Sequence, residues 1–127
     1  MSSEQLHEAR DVLPADVVDR HRAIVSIMEE LEAVDWYDQR VDATDDPELA
    51  AVLAHNRDEE KEHAAMLLEW LRRRDPQLDA HLRRYLFTEA PITAIEEEAD
   101  KPSAPSTARA PGDGSLGIGS LKGEPGR

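Results

Sequence analysis

Between Pro14 and about Ala43 the chain carries neither glycine nor proline, and its apolar side chains return in steps of four and three. The row runs Ala23, Ile27, Val34, Tyr37 and Val41, with Glu30 in the one charged place. That rhythm is the seam of a helix packed in a bundle. It predicts a helix of about 28 to 30 residues, about 40 Å long. Pro14 fits its first turn, where a missing N–H costs nothing. Residues 1–13, polar and acidic, make an irregular arm or a frayed extra turn.

Thr44-Asp45-Asp46-Pro47 is a stop followed by a start. Asp46 can cap the exposed N–H groups of a new helix whose first position Pro47 takes. The second row is Leu49, Leu53, Asn56, Glu60, His63, Leu67 and Trp70, which predicts a helix of about 27 residues ending at Arg74. Asp75-Pro76 repeats the cap signal, and a short third helix follows through Leu78, Leu82 and Leu86. The short connection makes the two long helices antiparallel neighbours. The third folds against one end of the pair or against a neighbouring molecule. Residues 96–98 continue acidic, with only a weak helical pattern. The expected fold is all-α: an antiparallel two-helix hairpin plus a short C-terminal helix, spanning residues 14–98.

Glu60 and His63 stand three apart, the spacing by which one helix face offers a carboxylate and an imidazole to a single metal ion. With 28 acidic residues in the chain, that spacing arises easily by chance, so the neighbours decide its meaning. A carboxylate in a helical seam is costly unless paired or metal-bound. A salt-bridged seam would bring in Lys or Arg, yet Arg57, Lys61, Arg72 and Arg73 lie off it. Glu30 sits sixteen residues before Asp46, and Glu60 and His63 fourteen and seventeen after it. An antiparallel pair therefore brings the three level.

A four-helix di-iron bundle needs a Glu from each of two helices and a Glu-x-x-His from each of the other two. This chain supplies half of that set, and two copies about a two-fold axis supply all of it. Carboxylate oxygens with one imidazole per ion suit iron or manganese, with zinc as a non-redox substitute. A dimer into a ferritin-like four-helix bundle also answers a second deficit. The foldable stretch is only about 95 residues, a length from which a self-sufficient core is hard to build, and with no cysteine in the chain there are no disulfides to compensate.

Beside the seam lie Glu29 and Glu32, with Trp36 one turn on from Glu32. They are either a cation entry route feeding the centre or ordinary surface charge. Tyr37, one heptad from Glu30, is a packed aromatic, or one that hydrogen-bonds near the centre or handles an electron. His21 and His55 are structural or surface histidines, or ligands of further sites. The net charge of −13 argues against nucleic acid or an anionic membrane as partner. No run of 18 apolar residues is present, and the first residues lack a signal peptide's basic and apolar regions, so the expected location is cytosolic. Beyond Asp100 the composition turns to Pro, Ser, Ala and Gly. Residues 99–111 read as a disordered linker. Residues 112–127 hold Leu116, Ile118 and Leu121 between glycines and serines, either a docking peptide or a featureless tail.

The stretches RHRAIVSIMEELEAVDWYDQRVDA and HNRDEEKEHAAMLLEWLRRR, followed by YLFTEAPI, closely resemble the encapsulated ferritins, iron-oxidising cargo proteins of bacterial encapsulin compartments. The resemblance covers about residues 20–95. It implies a ferroxidase that oxidises Fe(II) with dioxygen or peroxide, built as a dimer, with five dimers closing into a ring. On the family's pattern Glu30, Glu60 and His63 are the iron ligands, Glu29, Glu32 and Trp36 the entry route, and Tyr37 the aromatic near the centre. Manganese, zinc or calcium can replace iron there. GDGSLGIGSLKG, residues 112–123, resembles the peptide that binds the encapsulin shell's interior, which implies a location inside that nanocompartment. Two readings from other classes use the same residues: a metal-binding protein without turnover, and a helical adaptor docking a partner through its tail. Hemerythrin-like oxygen binding would need a histidine-rich centre, and the five histidines are dispersed.

Overall fold

The computed structural model describes residues 5–100, with side chains to Glu98. Residues 1–4, most of the linker expected at 99–111 and the peptide expected at 112–127 lie outside that range. The described residues are all helical or irregular: a 3-10 turn at Arg10–Val12, then α1 (Ala15–Ala43), α2 (Pro47–Arg72), α3 (Pro76–Tyr85) and α4 (Ile92–Asp100). The chain divides into two units, Met1–Leu86 and Phe87–Arg127.

In the first unit α1 and α2 pack as an antiparallel hairpin, and its turn is built by the residues the sequence singled out. Thr44 is extended and closes α1 through its N–H to the Arg40 carbonyl. Its hydroxyl accepts from the Asp46 N–H at 3.2 Å. Asp46 Oδ1 then accepts from the N–H groups of Glu48 at 2.9 Å and Leu49 at 3.3 Å, capping α2 with Pro47 at its first position. At the N-terminus Pro14 stands one place earlier than expected. It is the N-cap of α1, and its carbonyl accepts from Val17 and Val18.

The hairpin's own core is thin. Only Val18, Ala23, Ala64 and Leu71 are buried among the described residues. Ile24, Met28 and Leu31 on α1 and Leu49, Val52 and Met66 on α2 stay exposed. Each such side chain left in water forgoes part of the about 1.5–3 kcal/mol that full burial contributes. The row 24, 28, 31 keeps the four-three spacing of a packing face.

α2 stops at Arg72, two residues short of the expected end, because Arg73 and Arg74 turn the chain toward α3. Asp75 caps α3 by accepting from the Leu78 N–H at 3.0 Å. Arg72 ties α3 to the hairpin. Its guanidinium donates two bonds of 2.7 Å to Glu69 and a third to Asp79 on α3. Glu69 also accepts from Arg73 at 2.7 Å, and Asp79 from Arg83 at 3.0 Å. The third helix therefore folds against the end of its own hairpin.

The second unit contains α4, which sequence reading did not assign. Its first turn bonds to the Pro91 carbonyl through the N–H groups of Ala94 and Ile95. Phe87, at this unit's start, has φ 63 and is fully exposed. That left-handed conformation costs about 1–2 kcal/mol for a residue with a side chain. No described helix is long and apolar enough to cross a membrane.

Two stability predictions follow from the caps and from Arg72. Replacing Asp46 by Ala should lower the unfolding free energy by about 1 kcal/mol, read by denaturant titration. Arg72 first and Arg73 second hold the Glu69 carboxyl near pKa 2, against an ordinary 4.5. A carboxyl depressed on folding stabilises above its unfolded value and loses that contribution as pH falls through the folded one. The stability gap between the native chain and Glu69→Gln should thus be constant above about pH 5.5 and vanish by about pH 2. It should be modest, since the Glu69 side chain is 42% exposed and solvent screens it. A gap that stays level down to pH 2 would contradict the assignment.

Candidate metal centre

Glu30 lies at the middle of α1, and Glu60 and His63 at the middle of α2. The short turn fixes their level and the seam spacing fixes their side. Oxygens of both carboxylates and a ring nitrogen of His63 lie within 4.8 Å of one another. His63 Nδ1 is 3.0 Å from Oε1 of Glu60 and 3.5 Å from Oε1 of Glu30. The side chains of Glu30 and Glu60 are 26% and 24% exposed and that of His63 is 46% exposed. One side of the cluster is covered by the hairpin and the other stands open.

The three groups are electrostatically strained in a way a cation relieves. The hydrogen bond to Glu60 is the main influence raising the Glu30 carboxyl above its usual range, and loss of water and the Glu60 charge add to it. Glu60 moves the other way, held low by the bond from Glu30 and then by His63. His63 is raised above its ordinary 6.5, chiefly by its hydrogen bond to Glu60 and then by the Glu30 charge. Two carboxylates and an imidazole converging on one point make a donor set for a hard or borderline divalent ion, whose positive charge would offset the repulsion between the carboxylates.

The remaining residues of interest lie around this cluster. Glu29, Glu32 and Trp36 are exposed, and within one protomer they form no metal-ligating group with it. Tyr37 is half-buried on the seam. His21 is half-buried and His55 exposed, and neither joins the cluster. Two features escaped the sequence reading. Arg40 places its guanidinium 5.7 Å from the Tyr37 ring and 6.0 Å from the Trp36 ring, an arrangement signalled only by an arginine three and four residues after two aromatics. Arg57 crosses the hairpin to Asp38 at 2.9 Å, which leaves the metal-facing seam free of cations.

A metal must displace any proton held by the His63 ring. Affinity for zinc should therefore rise with pH through the His63 value, which lies above the ordinary 6.5, and then level off. Binding in that range should release protons, seen by calorimetry in two buffers of different ionisation enthalpy. Affinity that is flat over the same range, with no proton release, would remove His63 from the ligand set.

Comparison with known proteins agrees with this geometry. The EncFtn-like family model matches residues 5–89. An encapsulated ferritin-like protein of Rhodospirillum rubrum is 68% identical over 128 residues, covering 97% of this chain and 91% of that one. A ferritin-like protein of Thermotoga maritima is 56% identical, covering 76% of this chain and 84% of its own. An encapsulin nanocompartment cargo protein of Myxococcus xanthus is 36% identical, covering 77% and 80%. A crystal structure of a protein from Nitrosomonas europaea superposes with a TM-score of 0.67 at 62% identity, covering 68% of this chain and 96% of that chain. With its hairpin, its Glu/Glu/His cluster and a family model spanning both, this chain belongs to the EncFtn-like family, the encapsulated ferritins.

Proposed function

We propose that this protein is a ferroxidase whose working centre is assembled from two copies of the chain, and that it acts as iron-oxidising cargo of an encapsulin compartment in the bacterial cytoplasm. The observation that carries the reading is the half-open Glu30–Glu60–His63 cluster. One chain offers two carboxylates and one imidazole, too few for a pair of ions. Two chains about a two-fold axis offer four carboxylates and two imidazoles, the set a four-helix di-iron bundle uses. The exposed apolar residues on both long helices supply the surface a second copy would cover, and a further row such as Ile24, Met28 and Leu31 suits the contacts that close five dimers into a ring.

Iron is the substrate. Glu60, its carboxyl held below the usual range, and Glu30 beside it attract ferrous ions to the cluster. With dioxygen as oxidant, two ferrous ions each lose one electron, dioxygen gains both with two protons, and two ferric ions and hydrogen peroxide result. The carboxylates favour the product because they stabilise its higher charge. Glu29 and Glu32, with Trp36 alongside, are read as an entry route for ferrous ions, and Tyr37 as an aromatic able to pass an electron or hydrogen-bond near the centre. A dimer or ring of such short chains need not enclose mineral, so ferric iron would be stored in the surrounding shell. Residues 112–123 are read as the shell-binding peptide. The Rhodospirillum rubrum protein aligns over 97% of this chain, tail included, and the Myxococcus xanthus relative is an encapsulin nanocompartment cargo protein.

Mixing the protein with ferrous iron in air should give rapid ferric absorbance. The triple change Glu30→Ala, Glu60→Ala, His63→Ala should slow it by more than the about 10–100-fold typical of removing a group behind the ligands. Iron binding without ferric product would favour simple sequestration, and an unaffected triple variant would leave only an adaptor role. Deleting residues 112–123 should abolish capture by a co-expressed shell while leaving iron oxidation intact. Continued capture would sink the peptide's assignment.

A further inference from the structure

His63, alone of the three cluster residues, also lines a groove of about 590 Å³ that it shares with Met66, Leu67 and Trp70 of α2 and with Ala23 and Arg22 of α1. Met66 lies one helical turn beyond His63, on the same wall of that groove, and is 64% exposed. A thioether is the most readily oxidised apolar side chain, and its sulfoxide can be reduced back enzymatically. Met28, 37% exposed, is two residues from Glu30, nearer in sequence than Met66 is to His63, but does not line the groove. It projects about 200° round α1 from Glu30.

We infer that Met66 is an oxidisable guard residue, which intercepts hydrogen peroxide leaving the metal centre along this groove. This rests on the ferroxidase reading above, which supplies the peroxide. In the step proposed, the sulfur lone pair attacks one peroxide oxygen and the O–O bond breaks. The S–O bond forms, and the other oxygen leaves with both protons as water. Peroxide is reduced and the thioether is oxidised by two electrons. Each chain thus consumes one peroxide before its sulfoxide must be reduced. The reaction needs only that a molecule the size of peroxide pass from His63 along the groove, so it does not require the groove to face bulk water.

The test compares the full chain during ferrous iron turnover in air with the iron-free chain in added peroxide, mapping oxidised methionines by peptide mass spectrometry. In added peroxide, the Met66 to Met28 sulfoxide ratio of the assembled, iron-free protein sets the baseline. During turnover the Met66 to Met28 sulfoxide ratio should rise by about tenfold or more, a small part of what placement beside a source can supply. Met66→Leu, which conserves volume, should leave the rate of ferric formation unchanged. It should raise free peroxide by up to one equivalent per chain. Ferric product with an unchanged sulfoxide ratio, or with free peroxide unaffected by Met66→Leu, overturns this inference alone. Absence of ferric product defeats the ferroxidase reading and this inference together.

Discussion

Two carboxylates meeting at the middle of a helical hairpin are the constraint from which the rest of this molecule follows. Oxygens of Glu30 and Glu60 lie within 4.8 Å of one another, and His63, 3.0 Å from Glu60 Oε1, only partly balances them. Packed apolar residues at those positions would add stability that this small domain needs, so the arrangement is kept at a cost. A divalent ion removes the cost at its source. A single chain also leaves His63 46% exposed, and its few buried residues leave rows of apolar side chains in water. A second copy would meet both deficits at once, so the proposed metal binding and assembly belong to one account.

The charges around the site are arranged so that the cluster keeps its negative character. Arg57, which could have neutralised it, is turned across the hairpin to Asp38 and to the neighbouring Asp58. Arg72, Arg73 and Arg83 are engaged with Glu69 and Asp79 where α3 joins α2. Arg40 lies over the rings of Trp36 and Tyr37. In a chain of net charge −13 such pairings spare the metal seam from competing cations. They also stiffen the frame that carries the three candidate ligands.

Much of this was legible from residue order. Asp46-Pro47 and Asp75-Pro76 named the starts of α2 and α3, since a carboxylate that accepts from two N–H groups and a ring that needs none act locally. The level of Glu30 with Glu60 and His63 followed from a turn too short to allow slippage. What escaped shows the opposite property. Pro14 shifted by one residue because a proline can end the preceding chain as readily as begin a helix. α4 went unassigned because its acidic run lacks the four-three apolar rhythm that marked the longer helices.

The sequence by itself determined the helices, their caps, the hairpin's register and the identity of the three candidate ligands. Each depends on contacts a few residues apart, or on periodicity around one axis. Only the tertiary structure decided how far each ligand is covered, that Glu30 rises in pKa while Glu60 falls, and that Met66 shares a groove with His63. It also decided that Arg57 reaches Asp38 and Arg72 reaches Asp79. Those outcomes depend on the rotation of one helix against another and on where long side chains end. A repeat of three and four residues fixes a helix's face only to within one side chain's width, and the asymmetry between the two carboxylates lies within that width.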